Sequence, residues 1–263
     1  VSDVTAFEST GGGARRSIAW SALGVDALGA EGRRTVGATW LERMKQEHLA
    51  VGAFALLARE LAAEGCEPVV LSLVTRAACD EVRHAEICRR FAVELLGADA
   101  VPAGFRGLPK VPMHAGAPAS DRALFHVVEM CCMSETLTGV YFTEMLARTT
   151  DPVAREVIES LLEDEIDHGR VGWAYLASRA RDGSAGALAN ALPAMLDRAF
   201  RSVLRPRAAE ATEPRLETCA YLGHRASADV YRRSLRDVIL PGFEQLGVDL
   251  GPAHARVRER GWL

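Results

Sequence analysis

The chain has 263 residues, 49% of them hydrophobic and 25% charged, with a formal net charge of -4. That length buries a substantial core, and the composition is that of soluble globular proteins. The acidic balance excludes a charge-driven attraction to nucleic acid or to an anionic membrane, and no apolar run reaches the roughly 18 residues that mark a membrane-crossing helix.

Aromatic residues are scarce at 6%, and alanine, leucine, glutamate and arginine dominate, which favours helix over strand. Six cysteines occur, and none forms a CxxC pair, which argues against a zinc ribbon or a thioredoxin-like motif. They read as small core residues in a reducing compartment. No charged start followed by an apolar stretch marks a secretory signal, so the expected location is cytoplasmic. Arg201, Arg205 and Arg207 form a local basic cluster that reads as a solvated helix face.

Residues 1–37 are rich in Gly, Ser and Ala and predict an irregular lead-in, with one helical turn near Ile18–Leu23. A first long helix is predicted from Thr39 to about Ala63, stopping near Gly65. A second follows Glu67-Pro68 and runs to Leu96, with Gly97 as its C-cap. Residues 97–119 carry four prolines and four glycines and predict a long loop. A third helix starts at Ser120-Asp121, whose side chains suit an N-cap, and ends around Thr149. Asp151-Pro152 starts a fourth, reaching about Arg181. Two more helices are expected over about 185–206, kinked or started by Pro193, and about 214–246. The expected fold is all-α: a four-helix bundle over 38–182 with one long crossover, and a C-terminal helical extension over 183–263 packed on it. The loop spans up to roughly 75 Å when extended, against about 39 Å for a helix of about 26 residues, so it can carry the chain from one end of the bundle to the other.

Two of these helices contain Glu-x-x-His: Asp80-Glu81-Val82-Arg83-His84 and Asp164-Glu165-Ile166-Asp167-His168. The i, i+3 spacing sets Glu81 with His84, and Glu165 with His168, on one helix face. On the first helix Glu47 falls within the apolar stripe of Trp40, Met44, Val51, Phe54 and Ala58. On the third, Glu135 falls within that of Val128, Cys131, Thr138, Phe142 and Met145. A glutamate in a core stripe is costly unless it is paired or bound to metal. Glu42 and Glu60 lie about 140° round the helix from Glu47 and are expected in solvent, and Glu129, the rival to Glu135 on the third helix, lies about 120° from it, so Glu135 is preferred as the ligand. His48 points about 100° away from Glu47 and reads as an interhelix or surface residue, and His126 and His224 read as structural. Glu47, Glu81, His84, Glu135, Glu165 and His168 together offer four carboxylates and two imidazoles. Such oxygen-rich ligation suits two iron ions, or a manganese–iron pair, better than a closed zinc site. Thr138, Gly139 and Gly172 lie one turn beyond Glu135 and His168, where small residues either leave room for a substrate or allow close helix packing.

These motifs resemble those of the ferritin-like di-iron carboxylate proteins, in which two helices give one Glu each and two give a Glu-x-x-His. Asp80-Glu81-Val82-Arg83-His84 is similar to the Asp-Glu-x-Arg-His motif of bacterial di-iron monooxygenases, while the second motif has Asp167 in place of the arginine. The resemblance implies Asp80 and Asp164 as partners that fix the histidine tautomers. Thr138 is placed to hydrogen-bond a metal-bound species or its own helix. Cys88 stands where ribonucleotide reductase small subunits carry a radical tyrosine, which argues against that activity. Leu161 stands where some N-oxygenases carry an extra histidine.

The expected activity is dioxygen-dependent oxidation of a small organic substrate, by hydroxylation, N-oxygenation, desaturation or cleavage. An external electron donor such as a ferredoxin is expected, since no GxGxxG context provides a nicotinamide or flavin site. A homodimer is compatible with the extra C-terminal helices. A ferroxidase or iron-storage protein uses the same centre, and a scaffold with a degenerate site is the non-enzymatic alternative.

Overall fold

A computed structural model describes residues 18–107, 109–111, 114, 116–205 and 214–263. The described residues are helical, without strands. Helix α1 spans Gly29–Ala63 and α2 spans Pro68–Leu96. The next rod has three parts: α3 (Ala119–Val127), a π-helical stretch (Val128–Glu135) and α4 (Thr136–Arg148), with helical dihedrals at both junctions. Helix α5 spans Pro152–Arg181, and the Asp151 side chain accepts from the Ala154 amide at 2.8 Å as its cap. The C-terminal part comprises α6 (Leu188–Phe200), α7 (Pro214–Glu217), α8 (His224–Ser234), a second π stretch (Leu235–Ile239), α9 (Leu240–Gln245) and α10 (Gly251–Arg260).

Several boundaries depart from the sequence reading. Helix α1 begins ten residues before Thr39, so the irregular lead-in ends earlier; its residues 1–17 lie outside the described set. The glycines of that stretch permit close packing instead of breaking the helix: a Cβ on Gly37 would meet Leu96 Cγ at 2.5 Å. Ser120-Asp121 does not cap the third rod, which starts at Ala119 after Pro118 with no side-chain cap. The single helix expected over 214–246 is interrupted between Glu217 and His224. There the Thr150 and Asp151 amides donate to the Thr218 carbonyl, and Trp40 Nε1 donates to the Ala220 carbonyl at 2.8 Å. These bonds fasten the break to the bundle. Helix α10 was not anticipated. Pro193 lies inside α6, and Arg207 of the basic cluster lies outside the described residues. Residues 97–119 do form the long connection, with a short 3-10 turn at Ala98–Ala100; positions 108, 112, 113 and 115 are outside the described set.

Helix α1 packs along α2, and α5 packs on α2, on α4 and on the first π stretch; α8 lies on α4, and α6 on the π stretch. The apolar interior forms two clusters. One contains Phe54, Leu57, Val74, Leu124 and Leu176, and the other Trp40, Phe91, Phe142, Val157 and Leu161. Fully burying side chains of this size stabilises the fold by about 1.5–3 kcal/mol each. On α1, α2 and α5, the acidic and histidine residues singled out above fall between the segments that feed the two clusters.

Helix α10 rests on α6 through one carboxylate. Asp197 is buried and meets Arg201 at 2.8 Å and both Arg256 and Arg260 at 2.9 Å. Hydrogen bonding from Arg260 outweighs partial burial and holds the Asp197 carboxyl at about 2. Asp197→Ala is expected to lower stability by about 2–3 kcal/mol, read by thermal unfolding, because charged hydrogen bonds are lost and arginines stranded. No change in melting temperature would show that α10 is held by its apolar face alone.

Candidate metal centre

Six side chains meet in the layer between the apolar clusters, one or two from each long helix. Glu47 comes from α1, Glu81 and His84 from α2, Glu135 from the end of the π stretch, and Glu165 and His168 from α5. All six are buried; Glu81 and His84 are 0% exposed and Glu165 is 1% exposed. Their ligating atoms form two groups, Glu47–Glu81–His84–Glu165 and Glu81–Glu135–Glu165–His168, and within each the atoms lie within 4.8 Å of one another. Glu81 and Glu165 belong to both.

The spacing is that of atoms converging on an ion. Two atoms each about 2.1 Å from one cation are separated by roughly 3.0 Å at a right angle and by up to about 4.2 Å when they lie opposite. His84 Nδ1 lies 3.5 Å from Glu81 Oε2, 3.4 Å from Glu165 Oε1 and 4.0 Å from Glu47 Oε2. His168 Nδ1 lies 3.3 Å from Glu81 Oε1, 3.9 Å from Glu135 Oε2 and 4.0 Å from Glu165 Oε2. Among the described residues, both Glu81 oxygens, Glu165 Oε2 and both histidine Nδ1 atoms are buried without a hydrogen bond. Buried polar atoms are otherwise nearly always satisfied, so five such atoms facing one another fit a layer that can hold a cation. The buried Glu/His groups can hold metal.

The outward ring nitrogens are satisfied, and the pattern is crossed. His84 Nε2 donates to Asp164 at 3.1 Å, and His168 Nε2 donates to Asp80 at 3.4 Å. A carboxylate only accepts, so Nε2 is a donor in either protonation state, and the inward Nδ1 is the atom that gives up its proton to offer a lone pair to a metal. Each motif thus supplies the aspartate that orients the other motif's histidine. Arg83 ties Asp164 further, donating also to Ser160. On the second side Arg76, one turn before Asp80, lies 3.7 Å from Asp80 and 3.3 Å from Asp167. The arginine missing from the second motif is therefore matched by one from α2, with Asp167 as its counter-ion.

Without metal the layer holds protons. For Glu81, burial opposes ionisation, but the His84 charge and the contact with His168 outweigh it and bring the carboxyl down to about 2. Burial also works against charge on His168, yet Asp80 and Glu81 raise it to about 9; His84 is raised well above its ordinary value, with Glu81 the main opponent of burial. Burial, reinforced by the neighbouring carboxylates, pushes Glu47 and Glu135 well above the carboxylate range. Arg43, 3.4 Å from Glu47 Oε1, opposes this for Glu47 and sits 4.5 Å above the Phe142 ring.

The rival glutamates, of which Glu42 and Glu60 were expected in solvent, have different surroundings. Glu42 is exposed and pairs with Lys45, as expected. Glu60 and Glu129 are largely covered, however. Glu60 pairs with the buried His126, and Glu129 accepts from His114 at 2.9 Å and pairs with Arg198 at 2.5 Å. Glu60 faces α3, and Glu129 faces the long connection and α6, which helical angle alone does not reveal. His48 is half-buried, 5.6 Å from the Phe105 ring, and Cys88 is buried near Glu47.

Thr138 lines a cavity of about 460 Å³ that reaches Glu135. Gly139 and Gly172 do not line it. Gly172 serves close packing: a Cβ there would meet Cys131 Cβ at 2.4 Å and the Cys132 amide at 2.9 Å. Gly172→Ala must push α5 away from the π stretch that carries Glu135. It is expected to destabilise the chain by about 2 kcal/mol and to weaken metal binding, both read by thermal melts with and without metal. Unchanged melts would show that the π stretch yields freely.

No protein-family model matches the chain, and no curated protein or solved structure shows significant similarity to it. No helix among the described residues is long and apolar enough to cross a membrane.

Proposed function

We propose that the chain is a di-iron oxidoreductase of the ferritin-like kind, which uses dioxygen to oxidise a small organic substrate. One observation carries the reading: two buried ligand groups share Glu81 and Glu165, so the six residues would hold two cations with those two carboxylates common to both. Four carboxylates balance two divalent charges, and one imidazole per ion leaves coordination positions open, which favours iron over a closed zinc site. A manganese–iron pair fits the same ligands.

Bound iron supplies electrons for the reduction of dioxygen and thereby the oxidising power for an unactivated C–H or N–H bond. The residues provide the setting. Asp164 and Asp80 fix the tautomer and direction of the imidazoles. The two apolar clusters keep bulk water from the layer. Arg43 keeps a positive charge beside Glu47. The cavity beside Glu135 and Thr138 gives an organic substrate room to approach, which favours oxidation of such a substrate over iron storage. Electrons would come from a separate donor such as a ferredoxin, since the chain has no recognisable nicotinamide or flavin motif.

Anaerobic titration with ferrous iron, followed by Mössbauer spectroscopy and then oxygen, tests the reading. The expected result is two iron atoms per chain, in coupled sites that oxidise when oxygen is admitted. A single iron per chain would overturn the di-iron centre. Uptake of many iron atoms per chain into a cage-like assembly would replace the oxidase by a storage protein.

A further inference from the structure

The cavity beside the centre has a polarity that its neighbourhood to Glu135 does not require. At its inner end are Glu135, 7% exposed, and Thr138. Its walls carry Met130, Met133, Leu137 and Met195, a lining of flexible thioethers that adapts to the shape of an apolar body. At its solvent end stand two cations, Lys110 from the long connection and Arg198 from α6, both exposed to solvent. Two other lining cations are paired, Arg198 with Glu129, which also lines the cavity, and Arg43 with Glu47, whereas among the described residues no ion pair engages Lys110. Beyond the mouth the basic character continues. Arg198, Arg201, Arg205 and Arg256 line an adjoining hollow in which Asp197 is the single acid. In a chain of net charge -4 this is a local reversal of sign, and it raises the local concentration of anions at the entrance.

The geometry points to an organic carboxylate as the ligand class of this cavity. Its acid group would rest against Lys110 at the mouth, its apolar body between the methionines, and its far end toward Thr138 and Glu135. The volume, about 460 Å³, lies within the roughly 300–1,000 Å³ typical of small-molecule sites. A cationic ligand is disfavoured by the mouth, and a neutral hydrocarbon would leave Lys110 without a counter-charge. The assignment of this ligand as substrate rests on the di-iron reading; the carboxylate site itself does not.

Calorimetric titration of the full-length protein at neutral pH tests this with two acid–amide pairs, octanoate with octanamide and 4-propylbenzoate with 4-propylbenzamide. The alkyl and aryl arms distinguish a chain-like from a ring-like body. At least one acid is expected to bind about ten-fold more tightly than its amide, the difference a charge-assisted contact makes. Lys110→Met is expected to weaken the acid about five-fold and leave the amide unchanged. Lys110 is exposed, so this variant keeps its fold, which circular dichroism checks. Ala199→Phe, which fills the cavity from α6, is expected to weaken acid and amide alike. Equal affinity for acid and amide in both pairs, no binding of either acid, or undiminished acid binding in Lys110→Met overturns the proposal. Iron content measured on the same samples separates the two readings. Two irons without acid binding sinks the carboxylate site alone, and acid binding without iron sinks the di-iron centre alone.

Discussion

Glu81→Ala is expected to remove both metal-binding groups at once and to destabilise the metal-free protein by about 3–5 kcal/mol, the cost of breaking a buried ion pair from one side. Glu81 lies 3.5 Å from His84 Nδ1 and 3.3 Å from His168 Nδ1, and it is the carboxylate held down to about 2. Removing it takes from two buried imidazoles the carboxylate that raises both, so each must either shed its proton or stay charged without that counter-ion. Glu135→Gln is the contrast. Glu135 belongs to one group only, and burial already drives it toward its neutral form. That variant is expected to lose one ion and to leave the metal-free melting temperature unchanged or higher. Metal content by elemental analysis and melting in chelator read both outcomes. Loss of a single ion from Glu81→Ala would sink the idea that Glu81 is shared.

The second large effect is an inversion of pH dependence on metal loading. His168 has a folded-state value of about 9 against an ordinary 6.5. A raised basic group stabilises the fold in full below about 6.5, and that stabilisation disappears as pH climbs through about 9. For a fully formed shift of this size it is on the order of 3 kcal/mol. The metal-free chain is therefore expected to melt at progressively lower temperature between those limits. Metal requires neutral imidazole and ionised carboxylate, so its binding expels these protons and strengthens by about ten-fold per pH unit for each proton displaced. With a metal present, the melting temperature is expected to rise over the same range. Scans in chelator and in excess cobalt(II), from pH 6.5 to 9, make the comparison. Parallel slopes in the two series would contradict the assignment of His168 as a ligand.

Much of this arrangement was legible because helices convert spacing into direction. Glu-x-x-His needs no tertiary information to define a face, and a glutamate surrounded by Trp40, Met44 and Phe54 has to be inside. Asp151-Pro152 and Gly97 mark helix ends through local backbone chemistry, which sequence carries directly. The start of α1 was hidden because Gly29, Gly32 and Gly37 read as breakers. In the fold, Gly32 and Gly37 are points where Leu216 and Leu96 come close, a fact that belongs to residues far along the chain. The π stretch before Glu135 left no periodic trace, since eight residues are too few to shift an apolar pattern. The cavity was invisible for the same reason as the fate of Glu60 and Glu129: its walls come from α1, the long connection, the π stretch, α4, α6 and α8, brought together only by folding. Arg43 and Arg76 were within reach, as each stands four residues before an acid of the site.

The crossed aspartates make the two halves of the bundle mutually dependent. Asp80 and His84 are neighbours on α2, yet neither serves the other; each finds its partner on α5. A histidine on one helix pair is aimed only once the opposite pair has docked in register. A slip of one turn between α2 and α5 would unseat both imidazoles together. The lone pairs that face the centre are thus a product of complete assembly: a partly folded chain can contain both Glu-x-x-His sequences and still present neither histidine correctly.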